Sequence, residues 1–187
     1  MIESTTTAAV GPDRRGAVLS SALTTFTRFG YRKTSMDEVA RAARISRPGL
    51  YFLFESKEEL FRSAVVRSLD EDLIEVERIL GESHRALGER MLEAFDRWAG
   101  RYIGPLSGDI WAVIDDNPEL LGDIVVHRPR RFNDLVTSAF ESSGRSAATS
   151  TALAQTLIST SIGIKHQVQD RETYRDRLAV ALELLVP

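Results

Sequence analysis

The chain has 187 residues, 43% of them hydrophobic and 27% charged, with a formal net charge of −3. That makeup suits a globular protein that buries a core without disulfides or metals. The absence of cysteine excludes disulfides, Cys-ligated zinc and thiol catalysis, and the three histidines (His84, His127, His166) include no pair at metal-ligand spacing, so neither metal nor cofactor is expected.

Met1 to Val10 carry one acid and no base and lack the pattern of a secretory signal, so residues 1–11 read as a disordered tail. No apolar run approaches the length that spans a bilayer, and a cytoplasmic protein without a membrane partner is expected. Helical periodicity then begins. Val18, Leu19, Ala22, Leu23, Phe26 and Phe29 recur at three- and four-residue steps, with Asp13 as a candidate N-cap and Gly30 as the stop. Ser35-Met36-Asp37-Glu38 is a capping box that opens a short helix through about Ala43. Ser46 caps another, about 46–53, and Ser56-Lys57-Glu58-Glu59 is a second capping box opening a long helix through about Leu80. Within it, Asp70-Glu71-Asp72 point three ways and read as a solvated face.

The remainder is helical too. His84 to Tyr102 carries Leu87, Met91, Leu92, Phe95, Trp98 and Tyr102; Gly104 to Gly108 reads as a loop; a short helix holds Ile110, Trp111 and Ile114. Asn117-Pro118 restarts a helix, Pro129 is expected to kink or divide residues 118–143, and two last helices cover about 147–168 and 171–186. No strand pattern stands out. The expected fold is all-α with about nine helices, divided into a helix-turn-helix domain at 12–55 and a helical domain at 56–187.

Charge separates the two parts. Residues 14–57 hold nine basic and three acidic side chains, or +6, whereas residues 61–187 hold fifteen and twenty, or −5. A basic head on an acidic body fits a DNA-binding module joined to a sensing or dimerising domain. The stretch from Thr34 to Lys57, TSMDEVARAARISRPGLYFLFESK, gives two short helices around a tight turn, with Val39, Ile45 and Leu50 as their apolar contact and Ala40 permitting a close crossing. The second helix can then enter a major groove. Arg47, at its start, has the fork that matches guanine O6 and N7; Pro48 and Gly49 offer an apolar surface suited to a thymine methyl. Thr34, Ser35 and Lys57 lie at helix N-termini where a phosphate can sit, and Met36 is placed to touch backbone or base. Ser35, Ser46 and Ser56 are caps first and phosphate ligands second, and Tyr51 is in part a packing residue.

The same stretch resembles the N-terminal signature of the TetR/AcrR family: Phe29-Gly30-Tyr31, Thr34-Ser35-Met36, Val39-Ala40, Ala42-Ala43, Ile45-Ser46, Leu50-Tyr51-Phe52, Phe54 and Ser56-Lys57-Glu58-Glu59-Leu60. The resemblance is strong over about 14–61. Beyond that, only length and helical layout match. It implies a transcriptional regulator, most often a repressor. Such a protein binds a palindromic double-stranded operator as a homodimer, and a small effector releases it as the long helix opening at Ser56 swings. Tyr51 would bond a phosphate through its hydroxyl. One departure is Arg44, which stands where the family's turn usually has Gly; either its guanidinium reaches a phosphate or the turn is shaped differently.

The last two helices are the expected dimer surface, through Leu153, Leu157, Ser161, Ile164 and Val168 on one and Leu178, Leu182 and Leu185 on the other, unless these stripes face their own core. Phe95, Trp98, Tyr102, Ile110, Trp111, Ile114 and Phe132, with His166 as a polar group, are candidates to line an effector pocket for a flat or apolar molecule; plain core is the competing reading for each. His127, Arg128, Arg130 and Arg131 form a basic cluster that either faces an anionic ligand or is solvated. An enzyme is not expected, because Asp115-Asp116, Asp70-Glu71-Asp72 and His127 come with no nucleophile elbow, phosphate loop or metal motif. A helical protein-interaction or adaptor domain without an effector is the alternative, and it would not need the pattern from Arg47 to Lys57.

Overall fold

A computed structural model describes residues 12–104 and 110–186. The expected tail at 1–11, and the expected loop beyond Gly104, lie outside the described residues. Those described form ten α-helices, one 3-10 turn and no strand. In chain order they are α1 (Pro12–Phe29), α2 (Met36–Ala42), α3 (Arg47–Leu53), α4 (Lys57–Leu80), α5 (Leu87–Trp98), the 3-10 turn Gly100–Tyr102, α6 (Ile110–Asp115), α7 (Pro118–Leu121), α8 (Ile124–Ser142), α9 (Ala147–Lys165) and α10 (Arg171–Leu185). They fall into two compact units, one ending at Val65 and the other starting at Val66, so the boundary lies within α4.

Local chemistry sets the ends of the helices in the first unit. α1 begins at Pro12, which puts Asp13 inside its first turn instead of at the cap. It stops where Gly30, at φ 80°, donates its N–H to the Phe26 carbonyl. Ser35 and Glu38 close the reciprocal box at α2: the Glu38 N–H reaches the Ser35 hydroxyl at 3.2 Å, and the Ser35 N–H reaches the Glu38 carboxylate at 2.7 Å. At α4 the second half of the box differs. Ser56 accepts from the Glu59 N–H at 3.0 Å, but the Glu59 carboxylate reaches back one residue further, to the Glu55 N–H at 2.7 Å. Buried Phe26, Val39, Ala40, Leu50, Phe54, Leu60 and Phe61 fill the unit. Phe26 and Phe61 meet edge to face with centroids 5.2 Å apart.

In the second unit, α9 packs on α8 and α10, and α10 on α5 and the 3-10 turn. The break expected at Pro129 falls elsewhere. Pro129 lies inside α8, and the chain divides at Gly122, whose φ of 54° ends the single turn of α7 after its N–H has bonded the Pro118 carbonyl. That extra division accounts for the tenth helix. At Gly100 the neighbours leave no room for a side chain: an added Cβ would run into the Asp96 carboxylate and lie 2.9 Å from the Tyr174 ring.

The acidic run on α4 also departs from expectation. Asp70 and Glu71 are surface residues paired with Arg128 and Arg67, but Asp72 is fully buried. Its carboxylate meets the Arg97 guanidinium at 2.8 Å, and it also accepts from Arg101 and from the Tyr102 hydroxyl. Tyr102 in turn lies 3.1 Å from the Ser68 hydroxyl. Burial pushes the Asp72 carboxyl pKa up, against the opposing pull of Tyr102, Arg101 and Arg97. Asp96 makes a second such centre, nearly buried, with the Arg171 guanidinium bound in two places at 2.6 and 2.8 Å.

Candidate functional site

α3 has one face in the core and one in water. Leu50 and Phe54 are buried, whereas Arg47, Pro48, Tyr51 and Phe52 stand outward at the i, i+1, i+4, i+5 spacing of one helix face. Ser46 starts the helix by accepting from the Gly49 N–H at 3.1 Å, and the Cβ-free Gly49 leaves room for that hydroxyl. Arg15 of α1 holds the other end. Its guanidinium donates to the Leu53 carbonyl at 2.6 Å, satisfying one of the orphan acceptors of the last turn, and lies 4.1 Å from the centre of the Phe54 ring. Nothing in the local sequence around Arg15 announced that role.

On the outward face the Arg47 side chain is 62% exposed; its Nε lies 3.1 Å from Asp37 at the start of α2, and its guanidinium lies 5.7 Å from the Tyr51 ring centre. Ser35, Arg44, Ser46 and Pro48 are exposed as well, and Gly49 is half-buried. Lys57 is half-buried with its ammonium 4.3 Å above the Tyr31 ring, and burial lowers its pKa. Two residues expected among these contacts are placed otherwise. Thr34 is buried, with its hydroxyl donating to the Gly30 carbonyl at 2.9 Å, and Met36 is buried on the inner face of α2, so neither side chain is free to meet a partner.

The turn between α2 and α3 has Arg44 at φ 54°, the single described non-glycine residue with positive φ. The Ile45 N–H closes it on the Ala40 carbonyl at 3.0 Å. Left-handed backbone costs a residue with a Cβ about 1 kcal/mol or more. Arg44→Gly is therefore expected to raise the unfolding free energy, by roughly 0.5–1 kcal/mol once the freer unfolded glycine chain is allowed for. A urea titration of the variant checks this, and an unchanged or lower midpoint would mean that the Arg44 side chain offsets its own strain.

The second unit holds a cavity of about 260 Å³. Phe95, Trp98, Trp111, Phe132 and His166 line it, together with Asp115, Ser161 and Lys165. Trp98 stacks on Phe132 at 5.0 Å with ring planes 9° apart and meets Trp111 edge to face at 5.0 Å. Tyr102, Ile110 and Ile114, also expected there, are core residues outside that lining, and Tyr102 is taken up by Asp72. The basic cluster is divided as well: Arg128 pairs with Asp70 at 2.9 Å and Arg131 with Glu77 at 3.1 Å, while His127 and Arg130 are exposed. Among the described residues there is no group of three or more His, Asp or Glu able to hold a metal ion, and no helix long and apolar enough to cross a membrane.

The stripes expected at a dimer surface face inward. Leu157, Ser161, Ile164, Val168, Leu178 and Leu182 are buried within this unit, and Leu153 and Leu185 are half-buried. The correction has a simple cause: α9 is apolar or small on most sides, so periodicity alone did not select its free face. That face carries Ala152, Thr156 and Ser159, with half-buried Gly163 in line, and on α10 the exposed apolar residues are Val180 and Leu184.

A model of the family "Bacterial regulatory proteins, tetR family" matches residues 18–64, which cover α1 to the start of α4. The "Uncharacterized HTH-type transcriptional regulator YhgD" of Bacillus subtilis is 45% identical over 49 residues, 26% of each chain. The "HTH-type transcriptional regulator RutR" of Escherichia coli K12 is 28% identical over 131 residues, 58% of this chain and 60% of that one. The chain thus spans between about a quarter and three-fifths of the length of these curated relatives. A solved TetR-like transcriptional regulator from Rhodococcus sp. RHA1 superimposes with a TM-score of 0.63 at 26% identity, over 92% of both chains. Residues 18–64 thus carry the N-terminal domain of the tetR family of bacterial regulatory proteins, and along nearly its whole length the chain has the fold of a TetR-like regulator.

Proposed function

We propose that this protein is a ligand-responsive transcriptional repressor of the cytoplasm, without enzymatic activity. A homodimer of it grips a palindromic operator through two copies of α3, and a small apolar or aromatic effector in the second unit releases it. The observation that carries this reading is the outward face of α3: an exposed arginine and proline on its first turn, on a helix whose other side is locked into the core. Arg47 reads guanine through its fork, and Pro48 and Gly49 allow close approach to the base edges. Ser35, Arg44, Ser46, Tyr51 and Lys57 set the register on the phosphates, contributing affinity without sequence information.

One such helix covers too few base pairs for specific binding, so two are needed, related by the two-fold symmetry that a palindrome mirrors. The exposed small and apolar residues of α9 and α10 are the surface for that pairing. The aromatic cavity is the effector site; a planar molecule fits between the stacked and perpendicular rings, with His166 as a polar contact. Its occupant lowers DNA affinity by favouring a conformation in which the two heads no longer match successive major grooves.

Selection of bound duplexes from a random pool tests the reading, because a repressor of this kind enriches a palindrome. Against the selected duplex, Arg47→Ala is expected to cost roughly 1–3 kcal/mol of binding free energy while the dimer stays intact. Undiminished affinity in a gel-shift titration would remove Arg47 from the base-reading role.

A further inference from the structure

Phe52 is the most exposed large hydrophobic residue among those described, at 80%, and it stands on α3. Its neighbours on the same face are Arg47, Pro48 and Tyr51; its own unit meets that face at Asp37, beside Arg47, and leaves the Phe52 ring in water, while Leu50 and Phe54 point the other way. An aromatic ring left in water on a seven-residue helix gains free energy only from something that covers it. Resting on the regulator reading above, we propose that Phe52 reads thymine, packing its ring against the C5-methyl group in the major groove.

Three observations select this occupant. The ring continues the surface that carries the guanine-matching fork of Arg47, so whatever groove takes Arg47 also takes Phe52. The stretch around it, residues 14–57, carries nine basic and three acidic side chains, which favours a polyanion over a neutral or basic protein surface. The thymine methyl is the apolar feature that a base pair offers in the major groove, and a ring without donor or acceptor has no other base-edge group to recognise there. Five residues of helix rise separate Phe52 from Arg47 by about 7.5 Å, so the thymine lies about two base pairs from the guanine that Arg47 reads if the helix follows the groove.

The test uses the full-length protein and the duplexes it selects from a random pool. Each thymine of the half-site is replaced in turn by deoxyuridine, which deletes the methyl and keeps the pairing. Wild-type protein is expected to lose about fourfold in affinity at one thymine per half-site, the effect of one methyl group returned to water. Phe52→Ala is expected to bind the thymine duplex more weakly and to be indifferent to uracil at that position alone, while Phe52→Leu keeps part of the preference. The exposed ring makes no core contact, so unchanged helical circular dichroism accompanies the loss. Uracil tolerated at every position, or the same uracil effects at every position in Phe52→Ala as in wild type, overturns the assignment while the regulator reading stands. A pool from which no duplex is enriched overturns both.

Discussion

Asp72→Ala is expected to lower the stability of the second unit by about 3 kcal/mol, since removing one member of a buried, hydrogen-bonded ion cluster strands its partners. The Asp72 carboxylate has no solvent exposure and is held by the Arg97 and Arg101 guanidinium groups and by the Tyr102 hydroxyl. Both arginine side chains are about one-third exposed, so they recover part of their hydration when the acid is lost, which keeps the figure at the lower end for a buried pair. The Tyr102 hydroxyl has no such recourse; with Asp72 gone it keeps only Ser68. Asp72→Asn retains an acceptor for Tyr102 and is expected to cost roughly half as much. Trp98 and Trp111 are the two tryptophans of the chain and both belong to this unit, so their fluorescence in a urea titration follows it directly. A midpoint shift worth less than about 0.5 kcal/mol, within the range of an ordinary surface substitution, would mean that the cluster contributes nothing to stability. The cluster also bears on the cavity. Arg97, Arg101 and Tyr102 flank Trp98 and Ala99 of the cavity wall, so the acid that anchors them to α4 also fixes the ring against which an effector would stack. Weaker binding of planar aromatic probes by Asp72→Asn, at a denaturant concentration where it remains folded, is the accompanying expectation.

Sequence alone carried the first unit well, because its signals are local. A capping box is four residues long, Gly30 ends α1 through its own backbone conformation, and the pattern from Thr34 to Lys57 fixes which side of α3 meets Val39. Arg44 was legible as a turn residue for the same reason, and its φ of 54° answers whether the position needs left-handed backbone. The second unit was less legible because its informative interactions join residues far apart in the chain. Asp72 sits in an acidic run that looks solvated until Arg97 and Arg101, a helix away, fold over it. The aromatics behave likewise: Trp98 and Phe132 stack across 34 positions, whereas Ile110 and Ile114, at the same helical spacing as Trp111, turn to the core. Thr34 and Met36 failed as partner contacts through a different cause. A place at a helix start does not ensure exposure, and the tight packing of α1 on α2 buries both. Phe52 was hidden inside a family pattern in which it read as one more aromatic.

The α9 and α10 surface yields the other large expected effect. Val180 and Leu184 are four apart on α10, hence on one face, and are 55% and 78% exposed. Neither supports the core of its own unit, so Val180→Glu with Leu184→Glu is expected to leave helical circular dichroism intact. In a two-fold pair each substitution is met or approached by its own copy, so four carboxylates enter one apolar interface, beside Glu183 and Asp176 on the same helix. Sedimentation at micromolar concentration is expected to report a monomer. Operator affinity should then fall by about a hundredfold or more, although every residue of α3 is untouched, because the second head no longer binds at the effective concentration set by the first. The contrast with Arg47→Ala is the informative part. That variant loses affinity for the selected half-site whether one head or two engage, while the α10 variant binds an isolated half-site as well as wild type does and loses only the gain from pairing. A double variant that still sediments as a dimer would move the pairing surface away from α10, and full operator affinity in a proven monomer would leave the two-headed grip without support.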